Sequence, residues 1–263
     1  MSDSPVSESP VLVDPDAPPL LGRRAVVTGA SRGIGRAIAV GLARNGADVI
    51  AVARSADGLA ETAALAIGPG SLTPYPADLS RPESIDGLVV HALGRFGGLD
   101  ILVNNAASTH WSLIEDTELG TYQEVMQLDL QSCWLLCRAA SAALSEGASV
   151  INVASMLGTI GSRHETAYVA AKHALVGVTR ALALEWGRRG IRVNALAPGY
   201  VETAMTSPGL KEEAYAAWVL RNTPMHRWAQ PEEMVGPTVF LASSAASFMT
   251  GQVLVVDGGW TAR

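Results

Sequence analysis

The chain has 263 residues, 48% of them hydrophobic and 17% charged, which is enough apolar material for one sizeable core at the upper end of single-domain length. A formal charge of -6 gives no attraction to nucleic acid or to anionic membranes, so the expected partners are small molecules and further copies of the chain. Cys133 and Cys137 do not make a disulfide framework, and no signal-peptide pattern or spanning run of about 20 apolar residues is read, so a reducing cytoplasm is the expected location.

Residues 1–20, MSDSPVSESPVLVDPDAPPL, carry five prolines among serines and acids without any apolar period, the composition of a disordered tail. A single domain is expected over 21–263. The stretch RRAVVTGASRGIGRAIAVGLARNGADVIAVARS reads as strand, glycine turn, amphipathic helix, a stop at Gly46 and a second strand, the βαβ signature of a parallel sheet. Its turn is Gly29-x-x-x-Gly33-x-Gly35. Glycines there let the backbone bend tightly and let a pyrophosphate approach the amides of a helix N-terminus, where the dipole favours negative charge.

Alternation continues down the chain. A third strand is expected in LTPYPAD, ending at Asp78, then a helix over about 81–96, a buried strand at 101–107 and a long helix over about 118–145. SVINVAS should be a strand ending at Ser155, followed by an Ala-rich helix and the strand IRVNALA. An irregular stretch at about 199–230, a helix near 231–243 and a last strand in QVLVVDGG complete the pattern. Seven strands in this arrangement predict an α/β fold of the doubly wound Rossmann type, a mostly parallel sheet with helices on both faces. The Gly29 turn, Asn104 and Ser155 all fall at C-terminal strand ends, where such sheets bind ligands.

The segment from Ser155 to Lys172 carries the chemistry. Tyr168 and Lys172 are four apart on the Ala-rich helix and project from one face. Free tyrosine has a pKa of about 10, and one positive charge at about 4 Å in an effective dielectric near 20 is worth about 4 kcal/mol, roughly the three units needed to make the phenol an acid/base near neutrality. The 19 basic residues comprise 17 arginines and only Lys172 and Lys211 as lysines, so a compact ammonium is kept where a guanidinium fork would not fit.

These residues, with TGASRGIG at 28–35, NNAA at 104–107, RVNALAPGYVET at 192–203 and FLASSAASFMTGQVLVVDGG at 240–259, resemble the short-chain dehydrogenase/reductase family over nearly everything after residue 21. Within it, NVASM, LAPGYVETAMT, TPMHRW and QPEEMVGPTVFLAS are most similar to polyol and sugar-acid dehydrogenases, and related phrases occur in oxoacyl-carrier-protein reductases. The resemblance implies a catalytic set of Ser155, Tyr168, Lys172 and Asp129. Tyr168 would exchange the proton of a carbonyl or alcohol, Lys172 would lower the tyrosine pKa and bind the nicotinamide ribose, and Ser155 would hold the substrate oxygen. Cofactor contacts would fall on the turn residues Gly29, Ser31, Arg32, Gly33, Ile34 and Gly35. Further contacts would come from Asp78 and Leu79 at the adenine, from Asn105 and Ala106 after the strand that Asn104 pins, and from Pro198, Gly199, Val201 and Thr203 at the nicotinamide.

The chain departs from the family at two points. Ala107 stands where glycine is usual, and Asp129 where asparagine is usual; the family uses that residue's main-chain carbonyl in a proton relay, a role aspartate can keep. Cofactor choice rests on the end of the second strand. An acidic residue there would accept from the adenosine ribose and repel a 2′-phosphate. Here the position is Ala53, followed by Arg54, and Arg32 stands inside the glycine turn; two cations and no anion predict NADP(H).

The expected activity is therefore an NADP(H)-dependent interconversion of a ketone and a secondary alcohol on a small keto sugar, polyol or sugar acid. The alternatives are a ketoreductase for a 3-oxoacyl or biosynthetic intermediate, another reaction on the same scaffold, such as imine reduction or dehydration, and a catalytically silent dinucleotide-binding regulator. A homo-oligomer is expected through the two long helices, a tetramer or else a dimer. Among the remaining residues, His110, Trp111, Arg163 and His164 are candidates to face substrate, His91 is read as solvated, and Met205, Tyr215, Trp218 and Met225 fall in the family's lid region. Cys133, Trp134 and Cys137 are expected to pack at a helix interface. No histidine lies at ligand spacing to either cysteine, and no metal site is proposed.

Overall fold

The computed structural model describes residues 18–262. In chain order the elements are β1 (Arg24–Thr28), α1 (Gly33–Arg44), β2 (Asp48–Ala53), α2 (Ala56–Leu65), β3 (Ser71–Pro76), α3 (Pro82–Phe96), β4 (Leu99–Asn104) and α4 (Leu119–Met126). They continue as α5 (Ser132–Ala140), β5 (Leu144–Val153), α6 (Thr166–Trp186), β6 (Arg192–Pro198), α7 (Ser207–Lys211), α8 (Glu213–Asn222), α9 (Val235–Ala242) and β7 (Val253–Val256). The seven strands form one sheet in the order β3-β2-β1-β4-β5-β6-β7, and every neighbouring pair is parallel.

An all-parallel sheet must be covered on both faces, which is why β4 and β6 are buried at every residue. One face packs Leu88, Leu136, Leu175 and Trp186 from α3, α5 and α6 against Val26, Leu102 and Val150. The other packs Ile38, Leu42, Leu59 and Leu241 from α1, α2 and α9 against Val27, Val49 and Ile101. After β3 the chain crosses back to set β4 beside β1, and the groove at that reversal lies above the carboxyl ends of β1 and β4.

Three local features differ from the sequence expectation. The helix expected over 118–145 is interrupted by a π-helical segment at Gln127–Gln131 and stops at Ala140. Ala143 and Leu144 are buried, and Leu144 already pairs with Leu99, so strand formation claims residues that local pattern leaves to the helix. β4 begins and ends earlier than expected, at Leu99–Asn104. The 199–230 stretch holds α7 and α8, and its ends are fastened by the Val201–Ala229 bridge and by the Arg227–Glu233 ion pair at 2.6 Å, whose guanidinium and the Gln230 amide hold the Glu233 carboxyl down to about 2. Residues 1–17 of the expected tail lie outside the described residues; Leu20 is fully buried, and its amide donates to the Asn45 carbonyl at 3.0 Å. Among the described residues no helix is long and apolar enough to cross a membrane.

Candidate active site

Two cavities meet over the carboxyl ends of the central strands. The first is a groove of about 780 Å³ bounded by the glycine turn, the end of β2 and the start of the β3 to α3 connection. Gly29 bends the chain at φ +68°, and a Cβ there would come within 2.7 Å of the Asn105 amide and 2.9 Å of the Ala106 backbone. A Cβ at Gly35 would collide with the Gly29 carbonyl, so α1 starts as close to the strand ends as bare backbone permits. Thr28 ties the two strands together here: its hydroxyl accepts from the amides of Asn105 and Ala106 at 2.9 and 3.0 Å, and the Asn105 side chain donates to its carbonyl at 2.9 Å.

Ser31, Arg32, Gly33 and Ile34 line this groove from one side and Ala53 and Arg54 from another, while Asp78, Leu79, Asn105, Ala106 and Thr203 complete it. The Arg32 and Arg54 side chains are exposed. Asp78 is turned toward its own loop: its carboxylate accepts from the Ser80 hydroxyl at 2.8 Å and amide at 3.1 Å, and these bonds with the charge of Arg54 hold it below the usual carboxylate range. Two exposed guanidiniums beside a helix N-terminus and a backbone cradle suit an anionic dinucleotide carrying an additional phosphate. Pro198 and Gly199 lie at the end of β6, and the Val201 side chain is buried in the core, leaving its main chain to meet a ligand.

Ser155 follows β5 and caps a short turn, its hydroxyl accepting from the Leu157 amide at 3.1 Å. Tyr168 and Lys172 stand on α6, the ammonium 5.3 Å from the centre of the phenol ring and bonded to the Val153 carbonyl at 3.2 Å. Asp129 sits in the π-helical segment, 2% exposed. One carboxylate oxygen accepts from the Ser108 amide at 2.7 Å, and the other lies 3.4 Å from the Lys172 ammonium. Burial raises the Asp129 carboxyl above its ordinary range, with Lys172 pulling against it, while Asp129 and Tyr168 together keep Lys172 above its ordinary value despite burial.

This pairing corrects the electrostatic expectation for Tyr168. Burial pushes its phenol above the usual range; Lys172 and the Ser155 hydroxyl lower it, and the Asp129 carboxylate raises it again. The ammonium does lower the phenol, but burial outweighs it and the carboxylate offsets part of its pull. Asn104 pins its strand from the interior, donating to the Asn152 side chain at 2.8 Å, and Asn152 donates to Thr179 of α6 at 2.9 Å. That buried polar chain fixes β4, β5 and α6 relative to one another, and so holds the elements carrying Ser155 and Lys172.

The second cavity, about 410 Å³, opens over Ser155 and Tyr168. His110 and Trp111 line it as expected, with Met205 and Tyr215, whereas Trp218, Met225 and Arg163 do not. His164 packs tilted against Trp111, 4.8 Å between ring centres. His91 packs on Tyr75 at 4.7 Å, Cys133 and Cys137 are free and buried in the core, and Trp134 is 47% exposed under Arg138 instead of packed at an interface within the chain. Glu165, Tyr200, Glu212 and Trp228 also line the cavity, and Ser108 holds Asp129. No spacing in the sequence marks these five residues.

Comparison with known proteins agrees with this geometry. The family described as enoyl-(acyl carrier protein) reductase matches residues 29–261. The 2-dehydro-3-deoxy-D-gluconate 5-dehydrogenase of Bacillus subtilis is 40% identical over 251 residues, 94% of this chain and 98% of that protein. The 2,5-dichloro-2,5-cyclohexadiene-1,4-diol dehydrogenase of Sphingobium indicum is 38% identical over 92% of this chain and 98% of its own. A crystal structure from Beutenbergia cavernae, provisionally assigned as an NAD(P)-dependent gluconate 5-dehydrogenase and holding NADP at low occupancy, superposes with a TM-score of 0.88 at 47% identity, covering 94% of this chain and 99% of that one. With the TGASRGIG turn, the Ser155, Tyr168 and Lys172 constellation and the all-parallel sheet already in place, the chain belongs to the short-chain dehydrogenase/reductase family.

Proposed function

We propose that the protein is an NADP(H)-dependent oxidoreductase that interconverts a ketone and a secondary alcohol on a small polyhydroxylated substrate. The observation that carries this reading is the pairing of Ser155 and Tyr168 on the wall of a ring-lined cavity, with the buried Lys172 ammonium beside the phenol and a cation-flanked groove that adjoins the cavity at Met205. Bound NADPH would supply the hydride. Tyr168 gives the proton to the forming alkoxide or takes it from the alcohol, Ser155 holds the oxygen, and Lys172 keeps positive charge next to the phenol. Asp129 holds that lysine in place. The named relatives, a sugar-acid dehydrogenase and a ring-diol dehydrogenase, support a secondary-alcohol substrate, and the NADP held by the Beutenbergia protein supports the cofactor.

The glycine turn and Ser31 would hold the pyrophosphate, Asn105, Ala106 and Leu79 would flank the adenosine half, and Pro198, Gly199, Val201 and Thr203 would meet the nicotinamide. Arg32 and Arg54 would take the 2′-phosphate. A homo-oligomer, a tetramer in the first instance, belongs to the same reading and is supported by the exposed Leu119, Tyr122, Trp134 and Leu184 on α4, α5 and α6. A reducing cytoplasm is supported by the two free, buried cysteines.

Coenzyme titrations test the reading. A hydrogen bond to a charged group is worth about 1.5 to 3 kcal/mol, so Arg54→Ala should weaken NADPH binding by about tenfold or more and leave NADH nearly unchanged. Ala53→Asp should move preference toward NADH. Higher catalytic efficiency with NADH than with NADPH in the wild-type enzyme would overturn the phosphate clamp.

A further inference from the structure

Aromatic residues make up 5% of the sequence, yet they gather around one cavity. Trp111, Tyr200, Tyr215 and Trp228 line it, and Trp218 and Trp260 back them. The rings form an unbroken set of contacts: Trp111 to Tyr215 at 6.0 Å between centres, Tyr215 stacked on Trp218 at 5.7 Å, and Tyr200 against Trp228 and Trp260 at 5.1 and 4.9 Å. Trp111 is 57% exposed, an unusual position for so large an apolar surface unless something is meant to lie against it.

Charge on the same wall is one-sided. Glu165 and Glu212 line the cavity, and among the described residues no arginine or lysine does; His110 is the basic side chain on its wall. The nearest cation behind the floor, Lys172, is 2% exposed and already faces Asp129 at 3.4 Å. A substrate carboxylate entering here would give up its water with no guanidinium or ammonium on the described wall to answer it, and would approach two carboxyl groups. Hydroxyl groups find the reverse, since Glu165, Glu212, Thr109 and Tyr200 can accept or donate to them.

Resting on the proposed ketone and alcohol chemistry, we infer that this cavity selects a cyclic, uncharged polyol or its ketone. The flat faces of Trp111, Tyr215 and Trp228 match the C–H face of a ring, and the carboxylates read its hydroxyls. A ring also loses less internal freedom on binding than an open chain with the same hydroxyls.

The test compares kcat/KM with NADP+ on myo-inositol, glucitol and gluconate as cyclic, open-chain and anionic probes. Myo-inositol should lead and gluconate should trail it by at least about tenfold, with glucitol between them. Glu212 is exposed, so Glu212→Lys can be made without disturbing the core, and it should raise the gluconate to myo-inositol ratio at least about tenfold. Trp111→Ala should raise KM for myo-inositol severalfold and leave kcat little changed, the signature of lost uniform binding. Equal or better efficiency on gluconate overturns the inference while the oxidoreductase reading stands, and equal efficiency on glucitol and myo-inositol removes the ring requirement. Absence of NADP+-linked turnover on all three probes overturns both.

Discussion

A carboxylate 3.4 Å from Lys172 changes what that lysine does for its neighbour. On the proposed mechanism alcohol oxidation needs the phenolate, so its rate rises with pH through the Tyr168 pKa. Burial raises that pKa first and Asp129 adds to it, against the pull of Lys172. Asp129→Asn removes one of the groups that hold the phenol up, and the rising limb of the kcat profile for oxidation should move to lower pH. The plateau rate should stay within about tenfold, or about 1.4 kcal/mol of barrier. A limb that stays where it is, or moves to higher pH, would mean that Asp129 does not act on Tyr168 through Lys172. Ser155, Tyr168 and Lys172 are legible in the sequence because one helix and one strand end set their spacing. Asp129 is legible only as a departure from the family, and Ser108 not at all, since its amide and hydroxyl reach Asp129 from a loop that no period marks.

Elements are tied together by a few buried polar contacts, and these set how firmly the site is held. Asp100 at the start of β4 accepts from the Arg24 side chain at 2.7 and 2.9 Å and from the Arg24 amide at 2.9 Å, which clamps β4 to β1 below the groove. Burial pushes the Asp100 carboxyl up, but the Arg24 bonds and the nearby guanidinium charges more than offset it, and its pKa falls below the ordinary value. A depressed carboxyl contributes stability that is present above its unfolded pKa and lost as pH falls through its folded one. Asp100→Ala should therefore cost about 2 kcal/mol in urea unfolding near neutrality. The difference from wild type should narrow on acidification, and equal stability at neutral pH would contradict the clamp. The period of α4 and α5 is readable in the sequence, but the π-helical segment and the stop at Ala140 are not. Ser141 to Ser145 is compatible with a helix, but Ser141 to Ala143 form a turn and the pairing of Leu144 with Leu99 across the sheet starts the strand there.

At the scale of the whole molecule, short strand-like runs alternating with helical ones are enough to read the sheet, because a parallel sheet buries its central strands on both faces, as in β4 and β6. The second cavity is far less legible. Its wall draws Trp111, Tyr200, Tyr215 and Trp228 from segments that only tertiary packing brings together. The second cavity opens over Tyr168, and the central claim is that its phenol carries the proton. The most direct measurement is NADPH-linked turnover and NADPH binding of Tyr168→Phe, which removes one hydroxyl and keeps the ring. Turnover should fall by about a thousandfold, within the range for loss of a general acid, with the NADPH dissociation constant changed by less than about twofold. Turnover above about a tenth of wild type would contradict the account.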